Sequence, residues 1–253
     1  MNKPLIAILL VFFLTALFLA TALAAAEPNP AQAPFDQGVG LLSQGNPTAA
    51  LEKFNEALKL DPDLPEAYIN RGIAQMQLDQ PVEAVGDFDK ALELDPNSAV
   101  AFYNRALAYS QGGVYDKALA DYTRALKHSP KDWQIYYNRG NTYLDLGKNK
   151  EALADYNHAL KLHPKTAEIL HNRGLAHLNL GQADKALADE DTVLELNPNF
   201  ARAQFVRAQA LEKLGQKYEA MAAFRQFLQT GSPEKDHDLL QQALAHLNKL
   251  EGK

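Results

Sequence analysis

The sequence predicts an all-α protein, an α-solenoid built from a row of antiparallel helix hairpins. The main observation is a set of short features that recur at a step of 34 residues. The tripeptide Asn-Arg-Gly begins at Asn70, Asn138 and Asn172, and a variant of it begins at Asn104. The second observation is a series of prolines at the same step: Pro62, Pro96, Pro130, Pro164 and Pro198. A globular enzyme fold needs no such regularity, so a repeat architecture is expected.

The first 26 residues contain one charge, Lys3, followed by an apolar run from Leu5 to Leu23. A basic start, an apolar stretch and small residues before a proline-rich boundary are typical of a secretory signal peptide, with cleavage expected between Ala26 and Glu27. The run is also long enough to cross ~30 Å of hydrocarbon, so an uncleaved membrane anchor remains an alternative. Under both interpretations the rest of the chain is exported. We expect it to be periplasmic or secreted, or anchored to the membrane and facing outward.

Residues 27–34 are expected to form a linker, residues 35–234 the repeats, and residues 235–253 an amphipathic C-terminal capping helix. Each repeat should contain two helices, separated by a turn that holds a glycine in the left-handed conformation; the second repeat has Asp79 there. The recurring proline ends each repeat, because its ring and missing N–H prevent the helix from continuing. With each unit starting just after the Pro-x-x step, the six repeats are 31–64, 65–98, 99–132, 133–166, 167–200 and 201–234.

These repeats resemble tetratricopeptide repeats. The resemblance is carried by the 34-residue period, the aromatic residue in the fourth slot (Tyr68, Phe102, Tyr136), the small residue in the eighth slot, and the Ala…Phe/Tyr…Ala…Pro series of the second helix. It covers nearly all of 31–234. The resemblance implies a right-handed superhelix of antiparallel helix pairs, with a concave groove lined mainly by the first helices. It also implies that the sixth slot of each repeat faces this groove, where some members of the family hold a peptide backbone with asparagines.

Two neighbouring slots of the first helix are the predicted binding residues. A side-chain amide has both a donor and an acceptor, so it can pair with a peptide group of an extended ligand. The sixth slot holds Asn70, Asn104, Asn138 and Asn172. The fifth slot holds a mostly apolar and aromatic stripe: Ile69, Tyr103, Tyr137, His171 and Phe205. Together they predict a peptide-binding channel. The alternative is that the asparagines cap helices or crosslink neighbouring repeats.

A charged series is interpreted as structural. Arg71, Arg105, Arg139 and Arg173 each have an aspartate sixteen residues later, which two antiparallel helices of one repeat would bring together as an ion pair.

The fifth repeat breaks the pattern, because Glu190 stands where other repeats have an aromatic residue in the second helix. His177 stands where the third and fourth repeats have Tyr109 and Tyr143. Our hypothesis is that His177 contacts Glu190 and makes this joint soft and pH-sensitive. The alternative is a local degeneration of the repeat with both groups partly solvated.

Several function classes are excluded by composition and motifs. The chain has no cysteine, a net charge of −6 and no cluster of Lys and Arg, which argues against a nucleic-acid partner. Its seven histidines have no metal-ligand spacing, and no phosphate loop or nucleophile motif occurs. We therefore expect no enzyme, metal or cofactor. The expected function is a scaffold of the cell envelope that binds an extended segment of a protein partner in the groove. The alternatives are a self-associating structural element, that is a homo-oligomer, and a membrane-anchored organiser of an envelope complex.

Overall fold

The computed structural model describes residues 29–252, and the predicted signal sequence lies outside them. Within this range the chain forms thirteen α-helices and no strand. The helices are α1 (Gln32–Ser43), α2 (Pro47–Leu60), α3 (Pro65–Gln77), α4 (Pro81–Leu94), α5 (Ala99–Gln111), α6 (Tyr115–His128), α7 (Trp133–Asp145), α8 (Asn149–Leu162), α9 (Ala167–Asn179), α10 (Ala183–Leu196), α11 (Ala201–Lys213), α12 (Lys217–Thr230) and α13 (His237–Glu251). Helix α1 begins inside the segment 27–34 that was expected to be a linker.

Each helix packs against the next one along the chain, so the predicted all-α solenoid of helix hairpins is confirmed. The first helices of successive repeats also pack directly against each other, as α3 does against α5 and α9 against α11. The second helices of successive repeats are farther apart. The first helices therefore lie on the inner, concave side of the curve, and α13 closes the C-terminal end by packing on α12.

The ends of the helices follow from local sequence. Proline occupies the first turn of α2, α3 and α4, where a missing N–H costs no helical hydrogen bond. The glycines of the inter-helix turns have φ between +69° and +76°, as in Gly147 and Gly215. Asp79 adopts the same left-handed conformation, with φ of 59°, and its carboxylate accepts a hydrogen bond from Gln111 at 2.8 Å. The predicted role of this slot is confirmed.

The core is a series of small clusters along the array. Outside repeat 5, these clusters centre on an aromatic ring from a second helix, packed among alanines. In repeat 4 the ring belongs to Tyr156, which is fully buried. Gly140 lets the first helix approach it, since a Cβ atom there would lie 2.7 Å from a ring carbon. The corresponding buried rings of repeats 1, 2, 3 and 6 are Phe54, Phe88, Tyr122 and Phe224.

The arginine series joins the two helices of a repeat as predicted. In repeat 4, Nε of Arg139 donates to Oδ2 of Asp155 and Nη2 donates to Oδ1, both at 2.8 Å. Its Nη1 donates to the hydroxyl of Thr123 in the preceding repeat at 3.1 Å. The same two-way arrangement occurs in repeats 2, 3 and 5. Arg207, which has no aspartate sixteen residues later, pairs with Asp191 of the preceding repeat. These arginines fix the register of neighbouring repeats.

Candidate functional site

The four predicted asparagines lie half-exposed on first helices, at equivalent places in repeats 2 to 5. In three of them Nδ2 donates to the main-chain carbonyl oxygen four residues earlier, over 2.8 to 2.9 Å: Asn70, Asn104 and Asn138. No hydrogen bond to the Oδ1 atom of any of the four occurs within residues 29–252. Each side chain is therefore held in place by its nitrogen, while its oxygen remains an open acceptor on the concave face.

Two of the asparagines also crosslink repeats. Asn138 Nδ2 donates to the hydroxyl of Tyr103 at 2.9 Å. Asn172 Nδ2 donates to the hydroxyl of Tyr137 at 3.3 Å and to Oδ1 of Asn141 at 2.9 Å. The fifth slot of one repeat is thus bonded to the sixth slot of the next. The crosslinking role is therefore present at these two joints, and a ligand-binding role for the free oxygens stays a prediction.

The fifth-slot stripe is less open than the sequence suggested. Ile69, His171 and Phe205 are buried, and only Tyr103 and Tyr137 are half-exposed. The reason is that this slot packs against the aromatic slot of the second helix, nineteen residues later in the chain. The ring centroids of the resulting aromatic pairs lie 6.0 to 6.3 Å apart in repeats 3, 4 and 6. The stripe is mainly a core feature whose edges reach the concave face.

In repeat 5 the equivalent pair is polar. Nδ1 of His171 lies 3.1 and 3.0 Å from Oε1 and Oε2 of Glu190, and both side chains are buried. The predicted contact between Glu190 and His177 is wrong, because His177 lies in a different slot and bonds Oε1 of Gln182 at 2.7 Å. The alternative of a degenerate, partly solvated pair fails for Glu190, which is fully buried. Gly174 gives the carboxyl group the space that a ring fills elsewhere.

Burial determines the protonation of this pair. It raises the pKa of Glu190 to about 10, and the neighbouring carboxylates Asp189 and Asp191 act in the same direction. It lowers the pKa of His171 to about 4, and the positive charge of Arg202 adds to that shift. Both shifts favour the neutral forms. At neutral pH the carboxylic acid of Glu190 donates to Nδ1 of His171, so the ring carries its own hydrogen on Nε2.

A pocket of about 380 Å³ opens beside His171 on the concave face. It lies between the first helices of repeats 4, 5 and 6 and the capping helix α13. Its wall is mostly apolar, and Arg202 and Glu168 stand at its rim. Nε of Arg202 donates to Asp236 at 2.6 Å, which ties repeat 6 to the segment before α13. The lining residues are Tyr137, Glu168, His171, Asn172, Leu175, Phe200, Arg202, Phe205, Val206 and Leu239.

Four of the predicted site residues line this pocket: Tyr137, His171, Asn172 and Phe205. Sequence reasoning missed the contribution of Phe200 and of Leu239 from α13. The slot numbering could have indicated Phe200, because it ends the fifth repeat directly before the next first helix. Leu239 lies outside the 34-residue period, so no repeat signal points to it.

Two further features bear on the class of site. Residues 29–252 contain no group of His, Asp and Glu side chains that could hold a metal ion. In the same part of the chain, no helix combines the length and apolar character needed to cross a membrane.

Comparisons with known proteins agree with this architecture. Models of the TPR repeat match residues 41–79, 109–147 and 140–181, and models of the tetratricopeptide repeat match 65–98, 88–120 and 171–235. Among curated proteins, no sequence match is found.

Solved structures show the same fold. The Pseudomonas aeruginosa protein pilF is 19% identical with a TM-score of 0.71, over 83% of this chain and 97% of that one. YrrB, described as a TPR protein with an unusual peptide-binding site, is 24% identical with a TM-score of 0.65, over 76% and 97%. A thermophilic TPR protein of Thermus thermophilus is 27% identical with a TM-score of 0.56, over 72% and 99%.

Proposed function

Because the chain belongs to the tetratricopeptide repeat family, whose fold is typical of non-catalytic interaction scaffolds, we propose that it binds an extended segment of a protein partner along its concave face. The structural likeness to YrrB, described as having a peptide-binding site, favours a peptide-like ligand. The first helices provide the binding surface, and the partner crosses successive repeats.

The observation that carries this proposal is the row of asparagines at a 34-residue step. Their Nδ2 atoms are already bonded within the protein, so each Oδ1 atom is fixed before a ligand arrives. An extended segment has unpaired main-chain N–H groups that need acceptors. A row of fixed acceptors binds such a segment with little loss of side-chain entropy.

We also propose that the scaffold works outside the cytoplasm. The basis is the charge-poor apolar segment from Leu5 to Leu23 behind Lys3, which has the pattern of an export signal or anchor. The partner would then be an envelope or secreted protein.

The first experiment compares two exposed valines, one on a first helix and one on a second helix. Val100 lies on α5 in the second slot of its repeat, equivalent to Glu168 and Arg202 of the pocket, and Val82 lies at the start of the second helix α4. A photo-crosslinking amino acid is placed at each position in the full chain, and the crosslinked peptides are sequenced by mass spectrometry. We expect one discrete segment at position 100 and none of it at position 82. Equal labelling at both positions would contradict binding in the groove, and crosslinks between two copies would indicate self-association instead.

The identified segment is then synthesised and titrated against Asn104→Ala. Asn104 is the cleanest position, because its Nδ2 bonds only its own helix and not another repeat. We expect the affinity to fall about fivefold, the change for one hydrogen bond of ~1 kcal/mol, while the protein remains folded and its melting temperature falls less than that of Asn138→Ala. Unchanged affinity would mean that the asparagine row is structural.

A further inference from the structure

Three slots differ together at the joint between repeats 5 and 6. Repeat 5 has the buried pair His171–Glu190 in place of two aromatic rings, and repeat 6 has Val206 where repeats 2 to 5 have asparagine. At the two preceding joints the polar group of the fifth slot, the hydroxyl of Tyr103 or of Tyr137, is bonded by the asparagine of the next repeat. Val206 cannot form such a bond, so the joint loses its crosslink.

The loss leaves one polar atom of a largely buried side chain unpaired at the wall of the pocket. His171 is only 7% exposed, and its Nδ1 is occupied by Glu190. Its Nε2 has no hydrogen-bond partner within residues 29–252, and the residue lines the pocket. Nε2 is open to water through the pocket, so a ligand atom that accepts from it replaces a hydrogen bond to water, and one such neutral bond changes the affinity about fivefold.

Glu190 determines whether Nε2 of His171 is a hydrogen-bond donor or an acceptor. Glu190 keeps its proton at neutral pH because burial raises its pKa to about 10, and this proton is directed at Nδ1. Nε2 therefore carries hydrogen and acts as a donor. The ion-pair arrangement of the same two residues would give the same result, because both ring nitrogens then carry hydrogen.

The residues that line the pocket indicate the size and polarity of the side chain that it can bind. Phe200, whose ring centroid lies 5.0 Å from that of His171, and Phe205, Val206 and Leu239 make the pocket mainly apolar. A volume of about 380 Å³ suits one large side chain together with the main chain that carries it. Glu168 and Arg202 place one negative and one positive charge at the exposed rim, so the interior of the pocket favours an uncharged side chain.

We propose that this pocket is an anchor site for one tyrosine side chain of the partner segment, with the phenolic oxygen accepting a hydrogen bond from Nε2 of His171. Tyrosine combines a large apolar ring with an acceptor at its tip. Phenylalanine lacks the acceptor, and the indole N–H of tryptophan is only a donor and so faces another donor. The proposal rests on the proposed function, and it adds the side chain that the concave face selects.

The test uses small probes, so that no partner has to be known. The full chain with labelled histidine is titrated by NMR with N-acetyl-tyrosine amide, N-acetyl-phenylalanine amide and N-acetyl-tryptophan amide. We expect the tyrosine amide to shift the His171 ring signals and to bind about fivefold more tightly than the phenylalanine amide, with the tryptophan amide weakest. Equal binding of all three, or no change at His171, would overturn the proposal.

A matched pair of variants tests the role of the missing crosslink. Val206→Asn supplies an amide oxygen that can accept from Nε2 of His171, so the preference for tyrosine over phenylalanine should disappear. Val100→Asn makes the same chemical change on the same face of another repeat, away from the pocket, and should leave the preference intact. If Val206→Asn does not fold, Leu239→Ala serves instead, because widening the pocket from the capping helix should weaken both amides by a similar factor. A preference that survives Val206→Asn in a folded protein would overturn the assignment to Nε2.

The two proposals fail in different ways. If crosslinking at position 100 identifies a segment that Asn104→Ala weakens, but the amides show no preference, the pocket proposal falls and the scaffold proposal stands. If the tyrosine amide binds as expected but no segment is found at position 100, binding of an extended segment falls, and the pocket stands as an isolated site for a phenol.

Discussion

Repeats 4 and 5 are neighbours with the same helix-hairpin fold, but the same core position holds an apolar pair in repeat 4 and a polar pair in repeat 5. Repeat 4 fills it with the tyrosine pair, Tyr137 and Tyr156, whose ring centroids lie 6.3 Å apart. Repeat 5 fills it with the histidine–glutamate pair, His171 and Glu190, joined by a hydrogen bond of 3.0 Å. The tyrosine pair is stabilised by apolar burial and by the tilted contact between its two rings. The histidine–glutamate pair replaces that energy with a hydrogen bond between two groups that both become neutral.

The difference shows how a polar pair survives in a repeat core. Glu190 is tolerated because His171 occupies the slot that faces it, and the change of one without the other would leave a buried polar group unpaired. The pair also changes what reaches the surface. A tyrosine hydroxyl is bonded by the next asparagine, whereas the histidine nitrogen is left facing a pocket.

The largest effect is expected from moving half of the polar pair into repeat 4. Tyr156→Glu removes a fully buried ring and places a carboxyl group opposite Tyr137, which should cost about 5 kcal/mol in the free energy of unfolding. The double change Tyr137→His with Tyr156→Glu recreates the pair of repeat 5 and should recover about 1–3 kcal/mol of that loss. Urea unfolding of both variants measures this. A double variant no more stable than the single one would show that the two repeats are not interchangeable at this position.

The second largest effect on stability is expected from the arginine contacts, which differ in strength along the array. Arg139→Ala leaves the carboxylate of Asp155, which is 5% exposed, without its bidentate partner and should cost about 3 kcal/mol. Arg207→Ala breaks a single contact to Asp191, which is 46% exposed, and should cost at most about 1 kcal/mol. The comparison is made by chemical denaturation of each variant. Equal losses would mean that burial of the acid does not determine the strength of these pairs.

The pH dependence of stability should be specific to the pair in repeat 5. The pKa of His171 falls from 6.5 in the unfolded chain to about 4 in the folded chain. The pKa of Glu190 rises from 4.5 in the unfolded chain to about 10 in the folded chain. The raised pKa of Glu190 gives stability that is lost as pH rises from 4.5 towards 10. The lowered pKa of His171 gives stability that is lost as pH falls from 6.5 to 4. The two effects oppose each other between pH 4.5 and 6.5, so the net contribution of the pair to stability declines as the pH rises above 6.5, by about 1 kcal/mol per pH unit.

Glu190→Gln removes the alkaline part of this dependence. Between about pH 6.5 and 9, the wild type should lose about 2–3 kcal/mol relative to this variant in urea unfolding. A Tyr156→Phe variant, changed at the equivalent slot of repeat 4, should follow the wild type. Parallel curves for the wild type and Glu190→Gln would contradict the assignment of a protonated Glu190.

The smallest effect is expected for the asparagine crosslinks. Asn138→Ala removes the bond to Tyr103 and should cost about 1 kcal/mol, whereas Asn104→Ala removes only a bond within its own helix and should cost less. Thermal unfolding of the two variants measures the difference. The reverse order would mean that the crosslink does not stabilise the joint.

The fold could be predicted from the sequence because the same residue pattern recurs in every repeat. The left-handed turn at Asp79 and the pairing of Arg139 with Asp155 both followed from position within the repeat. The hydrogen-bond partner of Glu190 could not be predicted in the same way, because the sequence alone does not show which slots face each other. The separation of nineteen residues that relates Tyr103 to Tyr122 and Tyr137 to Tyr156 also relates His171 to Glu190, and it was the available signal. The pocket could not be predicted, since α13 contributes to it from outside the period.

The interchangeable joints have a consequence for how this chain can change in evolution. Repeats 2 to 5 each meet the preceding repeat through an arginine contact at the same slot, so a duplication or deletion of one 34-residue unit there would form a junction of the same kind. The junction of repeats 5 and 6 cannot be recreated in this way, because its parts come from His171, Glu190, Val206 and the segment before α13. A change in the number of repeats on the N-terminal side would therefore keep these contacts, whereas a change at the C-terminal end would break them.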